Sequence, residues 1–157
     1  MTKTLVAYFS ASGVTADLAR RLANVADAEL FEILPAEAYT AGDLNWYDKT
    51  SRSTLEANDP ACRPAIASKL ASLDSYDTIF LGFPIWWYVA PAIIKTFLES
   101  YDFSGKKVVL FATSGGSGMG KTVSTLKPCA PGAVIEEGEV LNGASDAALK
   151  KFVEKYR

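Results

Sequence analysis

The stretch Leu5-Val6-Ala7-Tyr8-Phe9-Ser10-Ala11-Ser12-Gly13-Val14-Thr15 joins an apolar run to a polar turn and then to a helical pattern. The apolar run predicts a buried strand over residues 3–9. After the turn, apolar residues that recur with helical spacing predict a helix over residues 13–26. The same order of strand, turn and helix recurs along the chain, and this recurrence decides the fold.

The polar turn has the chemistry of an anion site. The first turn of a helix has unpaired N–H groups, and the helix dipole places partial positive charge there. Hydroxyl groups add donors, and a glycine permits a positive φ and close approach of the backbone. The turn contains no Lys or Arg, so a phosphate would be held by neutral donors. The candidate residues are Ser10, Ser12, Gly13, Val14 and Thr15. The alternative is an ordinary serine N-cap.

The remaining chain alternates between strand and helix patterns. Further strands are predicted over residues 29–34, 78–83, 107–112 and 133–135, the last resuming at 140–141. The two glutamates of the first of these indicate a sheet edge. Helices are predicted from Arg63, with an apolar stripe at Ile66, Leu70 and Leu73, from Pro91, up to Leu126, and from Ser145. The alternation predicts one α/β domain over residues 1–157, with a parallel sheet and helices on both faces.

Residues 35–60 have no clear pattern, and a connection of this length is often functional. It contains Trp46 and Tyr47, which could cover a cofactor or could pack the loop down.

Three loops are expected to meet where the sheet binds ligands. In a doubly wound sheet this place lies at the carboxyl ends of the strands. The loops are residues 10–15, 84–90 and 113–118. The second contains Pro84, Ile85, Trp86, Trp87 and Tyr88. Adjacent large aromatic rings are costly to expose and suit stacking on a flat ligand. Core packing or a dimer interface are the alternatives.

The third loop contains Thr113, Ser114, Gly115, Gly116 and Gly118. It can be a simple turn. Residues 115–122 also match the pattern G-x-x-x-x-G-K-T of a nucleotide-binding P-loop. No later apolar strand ends in Asp, and this alternative leaves the other two loops without a role. A P-loop nucleotide-binding protein is therefore the remote alternative.

Composition excludes several classes of function. The chain has 157 residues and a net charge of −2, so we expect neither a nucleic-acid nor a membrane surface. It has no histidine, which excludes Ser–His–Asp catalysis and a His-ligated metal site. Cys62 and Cys129 stand alone without a C-x-x-C motif, so reduced thiols are expected, with a disulfide as the alternative. No signal peptide or long apolar run is present, which predicts a cytoplasmic protein.

The motif Ser-x-Ser-Gly-x-Thr at Ser10–Thr15 resembles the phosphate loop of flavodoxins. The run over residues 83–97 is similar to the corresponding segment of flavodoxin-like quinone reductases. The resemblance covers the whole chain in element order. It implies strand order 2-1-3-4-5 and FMN as cofactor, with its phosphate in the first loop. It also implies a flavin ring beside the aromatic residues of the second loop and backbone N–H groups of the third loop at the pyrimidine edge.

The resemblance implies a flavodoxin-type redox protein that transfers electrons through bound flavin. Its partner would be a redox protein or a small-molecule electron acceptor, and the chain would be a monomer or a homodimer. The alternative is an FMN-dependent NAD(P)H:quinone, nitro or azo oxidoreductase. Carrier flavodoxins place a glycine in the second loop and are strongly acidic, whereas residues 85–90 contain no glycine and the net charge is only −2. Both departures favour two-electron chemistry. No catalytic side chain and no metal are expected.

Overall fold

The computed structural model describes residues 3–11, 13–45, 47–59, 61–86, 89–114 and 118–157. Its sheet has five parallel strands in the order β2-β1-β3-β4-β5, as the resemblance implied. The strands are β1 (Lys3–Tyr8), β2 (Glu29–Glu32), β3 (Tyr76–Pro84), β4 (Lys107–Thr113) and β5 (Val134–Val140). The strand order reverses beside β1, so the carboxyl ends of β1 and β3 flank the position where doubly wound sheets bind ligands.

Helices cover both faces of the sheet. They are α1 (Val14–Ala26), α2 (Arg52–Ala57), α3 (Ala92–Ser100), α4 (Thr122–Leu126) and α5 (Asp146–Tyr156), with a 3-10 turn at Lys127–Cys129. Side chains of β1 alternate between two apolar cores, because successive residues of a strand point to opposite faces. Val6 packs with α1 and α5 on one face, and Leu5 packs with α3 on the other. The predicted two-faced sheet is therefore confirmed.

The sequence predicted the position of the edge strand β2 correctly but not the extent of the other edge strand, β5. The edge position predicted for β2 is confirmed. The predicted interruption of β5 is wrong, since one strand runs from Val134 to Val140. Its pairing with β4 shifts register between Val109 and Phe111, opposite Gly138, which has φ +65°. A bulge lets the strand continue through a stretch whose apolar pattern is broken by glutamates.

The helix predicted from Arg63 through Leu73 is wrong. Residues 61–70 contain no helix, and Ile66 forms an isolated antiparallel bridge with Pro35, shortly after β2 ends. The Ala36 N–H donates to the Ala65 carbonyl at 2.8 Å, and the Ala67 N–H donates to the Leu34 carbonyl at 2.7 Å. Burial along this segment alternates with period two. Ile66 and Leu70 are four residues apart, a spacing that places two residues on one side of a helix and also on one side of a strand. The segment thereby covers part of a sheet edge that would otherwise expose unpaired backbone groups.

The last helix begins as its sequence predicts. The Ser145 hydroxyl accepts a hydrogen bond from the Ala148 N–H at 3.2 Å, which is an N-cap. The two cysteines are free, with Cys62 half-buried and Cys129 buried. Among the helices of the described residues, none has the length and apolar character needed to cross a membrane.

Candidate functional site

The end of β4 joins two of the three predicted loops to each other. Thr113 and Thr15 are both buried, and their hydroxyl oxygens lie 2.8 Å apart. The Ile85 N–H donates to the Thr113 carbonyl at 2.8 Å. Thr113 therefore holds the start of α1 through its side chain and the loop after β3 through its backbone. Parallel strands bring their carboxyl ends to one edge, which is why residues so distant in sequence meet here.

The first loop forms a tight entry into α1. The Ser10 hydroxyl accepts a hydrogen bond from the Gly13 N–H at 3.1 Å. Gly13 precedes the helix with φ +91°, and a Cβ there would meet nothing within 4 Å. Glycine is thus favoured by its backbone conformation rather than by space. Val14 is 56% exposed, so its side chain lies open to the solvent at the helix start.

The loop after β3 has a defined backbone at both ends. Pro84 is paired in register with Thr113, and Ile85 is buried. Trp86 and Val89 exchange two backbone hydrogen bonds of 3.0 and 3.2 Å. This small antiparallel bridge fixes the main chain of Trp86, whose ring is half-buried.

Several predicted site residues lie outside the described part of the chain. These are Ser12, Trp87, Tyr88, Gly115 and Gly116. Trp46 is also outside it. Gly118, which ends the third loop, is exposed.

Asn142, in the turn after β5, is a positioning residue that the sequence patterns did not reveal. Its side-chain oxygen accepts from the Ser114 N–H at 2.8 Å, and its side-chain nitrogen donates to the Ser114 carbonyl at 2.6 Å. This pair of hydrogen bonds fixes Ser114 of the third loop against the end of β5. The dipeptide Asn142-Gly143 indicates only a turn, and nothing local identifies its distant partner.

A second feature missed from the sequence is the aromatic packing of Tyr39 beside the loop after β3. Its ring lies 5.4 Å from the ring of Trp86 and 5.5 Å from that of Phe9, edge-on in both cases. Tyr47, the residue considered for this region from sequence, is 79% exposed. The aromatic contact with the site therefore comes from the start of the 35–60 segment.

A cleft of about 320 Å³ is lined by residues of this segment and of the stretch that follows it. Its lining includes Glu37, Arg52, Glu56, Cys62 and Arg63 and none of the described residues predicted to hold the cofactor. Burial, followed by the nearby carboxylates of Glu56 and Asp59, raises the pKa of the Cys62 thiol. The thiol therefore stays protonated at neutral pH and is a poor nucleophile.

A family model described as flavodoxin matches residues 3–156. The chain belongs to the flavodoxin family. The structure is similar to that of a candidate flavoprotein from Bacteroides eggerthii, with a TM-score of 0.93 and 46% identity over 99% of this chain and 98% of the other. It is also similar to a flavoprotein from Lactobacillus acidophilus in complex with FMN, with a TM-score of 0.62 and 27% identity over 86% of this chain and 90% of the other.

One curated enzyme matches part of this flavodoxin-family chain. NAD(P)H dehydrogenase (quinone) 1 of Rattus norvegicus is 30% identical over 82 residues, which cover 42% of this chain. The match spans 30% of the length of the rat enzyme.

Family membership leaves the P-loop alternative without support. Thr122 takes the place of the hydroxyl residue that such loops present to a metal ion. Its side chain is fully buried, and its hydroxyl donates to the carbonyl of Met119. The hydroxyl is thus already used within the protein, and α4 that follows is only five residues long.

Proposed function

We propose that this protein binds FMN at the carboxyl edge of its sheet and transfers electrons through it. The observation that carries the proposal is the meeting of the first loop, the loop after β3 and the end of β4 at Thr113. The FMN complex of the Lactobacillus acidophilus relative, at 27% identity, supports the choice of cofactor. Bound FMN would accept one or two electrons from a donor and pass the same number to an acceptor.

The hydroxyl pair of Thr15 and Thr113 fits a phosphate. Two hydroxyl groups that share one hydrogen bond use one of their two hydrogens, so the other can donate. A phosphate monoester has only acceptor oxygens at its charged end, and such hydrogen bonds are stronger than neutral ones. The amino end of α1 adds partial positive charge at the same place. Ser10, Ser12, Gly13 and Val14 would complete this part of the site.

The other two loops would hold the flat part of the cofactor. Trp86, Trp87 and Tyr88, together with Pro84 and Ile85, would cover the flavin ring and exclude water from it. Thr113, Ser114, Gly115, Gly116 and Gly118 would offer backbone groups to its polar edge. Asn142 would keep Ser114 in place when the cofactor is absent, because its two hydrogen bonds are made within the protein.

A second candidate function is an FMN-dependent NAD(P)H:quinone oxidoreductase. It is favoured by the similarity of 82 residues to the rat quinone reductase and by the absence of glycine from residues 85–90. In that case the protein would accept a hydride from NAD(P)H and pass two electrons and one proton to a quinone, which takes a second proton from the solvent to become the hydroquinone. The carrier function needs neither a nicotinamide site nor a quinone site.

Anaerobic reduction separates the two functions. Purified protein is first titrated with FMN and with FAD, and we expect tight binding of FMN alone. The FMN-loaded protein is then mixed with NADH or NADPH, and flavin absorbance is followed. The carrier function predicts slow bleaching by either nucleotide and fast bleaching by dithionite. Rapid bleaching by a nucleotide, with turnover when menadione is added, would establish the reductase instead. Failure to bind FMN would overturn both.

Lys121 provides a test against nucleotide binding through the P-loop pattern. The residue is exposed at the start of α4, so Lys121→Ala should change FMN affinity by no more than about 0.5 kcal/mol, as at most surface positions. Calorimetry of the wild-type protein should detect no binding of ATP. Micromolar ATP binding that disappears in Lys121→Ala would restore the P-loop function.

A further inference from the structure

Three aromatic rings form a closed group beside the loop after β3. Phe9 and Trp86 lie 5.8 Å apart with an interplanar angle of 90°. Tyr39 contacts both, at 5.5 Å with an angle of 61° and at 5.4 Å with an angle of 64°. Edge-to-face pairs of this kind contribute about 0.5–1.5 kcal/mol beyond the area that they bury. The ring of Trp86 therefore has a preferred orientation against the body of the protein.

The ring of Tyr39 is itself fixed by α2. The Arg52 guanidinium carbon lies 3.8 Å from the centre of the Tyr39 ring, which is a cation–π contact. The Tyr39 hydroxyl donates to one Glu56 oxygen at 2.5 Å, and Arg52 Nε donates to the other at 2.9 Å. The side chains of Arg52 and Glu56 are only 19% and 11% exposed. Both oxygens of the Glu56 carboxylate thus accept a hydrogen bond, one from Tyr39 and the other from Arg52.

The position of Arg52 is also set by the backbone. One of its terminal nitrogens donates to the Glu37 carbonyl at 2.8 Å, two residues before Tyr39. Burial, followed by the hydrogen bond to Glu56, raises the pKa of Tyr39, so its hydroxyl remains a donor at all ordinary pH values. This ion pair is mostly buried and adds little stability, because desolvation offsets much of its attraction.

We propose that Tyr39, Arg52 and Glu56 are positioning residues that hold Trp86 in the orientation in which it covers the cofactor. The proposal rests on the proposed FMN function. The backbone bridge to Val89 fixes only the main chain of Trp86, so its ring needs a side-chain partner. Phe9 and Tyr39 are such partners, and Glu56 and Arg52 keep Tyr39 in place. Residues of the irregular connection between β2 and β3 therefore fix the orientation of Trp86 in the candidate cofactor site.

Two substitutions and a control test this role. Tyr39→Leu removes the ring that contacts Trp86, and we expect FMN binding about tenfold weaker and a changed flavin circular dichroism spectrum. Glu56→Ala should give part of this effect, and Glu56→Gln should restore only some of it, because the amide oxygen can accept from Tyr39 while its NH2 group cannot accept from Arg52. The control is Asp48→Ala. Its carboxylate accepts hydrogen bonds from the Thr50 N–H at 2.9 Å and the Thr50 hydroxyl at 2.7 Å, in the same segment but not next to Tyr39 in sequence.

A double-mutant cycle shows whether Tyr39 acts through Trp86. In a Trp86→Ala background, Tyr39→Leu should have almost no further effect on FMN affinity. The same cycle is measured by near-ultraviolet circular dichroism on flavin-free protein, where the coupled rings should give a signal that neither single variant retains. Additive effects on affinity, or equal effects of Tyr39→Leu and Asp48→Ala, would overturn the positioning role. Absence of FMN binding by the wild-type protein would instead overturn the proposed function and this role with it.

Discussion

Gly138→Ala is expected to destabilise the protein by about 3 kcal/mol or more. Gly138 has φ +65°, and a Cβ there would lie 1.6 Å from the Leu110 carbonyl oxygen and 2.7 Å from its carbon. The obstacle is the backbone of the adjacent strand β4, which cannot move without breaking the sheet. Backbone strain and overpacking each cost about 1–3 kcal/mol, and both apply at this position.

Gly143→Ala is the matched control for this prediction. Gly143 also has φ +65°, but a Cβ there would meet nothing within 4 Å. This variant should lose only the cost of the left-handed conformation, about 1–2 kcal/mol. Urea unfolding followed by far-ultraviolet circular dichroism measures both. An insoluble Gly138→Ala beside a soluble Gly143→Ala would be the extreme form of the expected result, whereas equal losses would show that β4 does not obstruct the site.

The double variant Ser12→Ala/Thr15→Ala is expected to weaken FMN binding by about 2–4 kcal/mol, which is about 30-fold to 1000-fold. The estimate takes about 1–2 kcal/mol for each hydrogen bond lost to a charged phosphate. Isothermal titration of the flavin-free protein gives the affinity, and quenching of flavin fluorescence provides a second measurement. An unchanged affinity would contradict the assignment of the phosphate to the first loop.

The buried pair of Thr15 and Thr113 calls for a further variant. Removing the Thr15 hydroxyl leaves that of Thr113 without its partner, which itself destabilises the fold. Thr15→Ser keeps the hydroxyl and loses only a methyl group. It should bind FMN nearly as the wild type does, while the double variant does not. A large loss of affinity in Thr15→Ser would assign the effect to packing at the start of α1 instead.

The central strands and the helix starts were predictable because their signals are local. Residues 5–7, 79–81 and 108–112 are apolar without interruption and fully buried, as expected of strands covered on both faces. The positive φ at Gly13 and the cap at Ser145 also followed from residue type in its immediate context. A buried apolar strand and a helix cap each depend on residues that are neighbours in sequence, so the sequence alone indicated them.

The sequence did not predict the structure of the connection between β2 and β3, because that structure depends on contacts with residues that are distant in sequence. Ile66 and Leu70 fit a helix and a strand equally well by spacing, and the exposed end of β2 decided between them by offering backbone groups for pairing. The contacts of Tyr39 with Phe9 and Trp86, and those of Asn142 with Ser114, have no local signal at all.

The sequence by itself therefore determined the strands, most of the helices and the three loops that carry the candidate site. Residue type and spacing were enough there because burial and capping act over short stretches of chain. Only the tertiary structure decided that Thr113 joins those loops, that Tyr39 and Asn142 contact them, and that residues 61–70 form no helix. These outcomes depend on groups that are distant in sequence, and the sheet brings them to one edge because its strands are parallel.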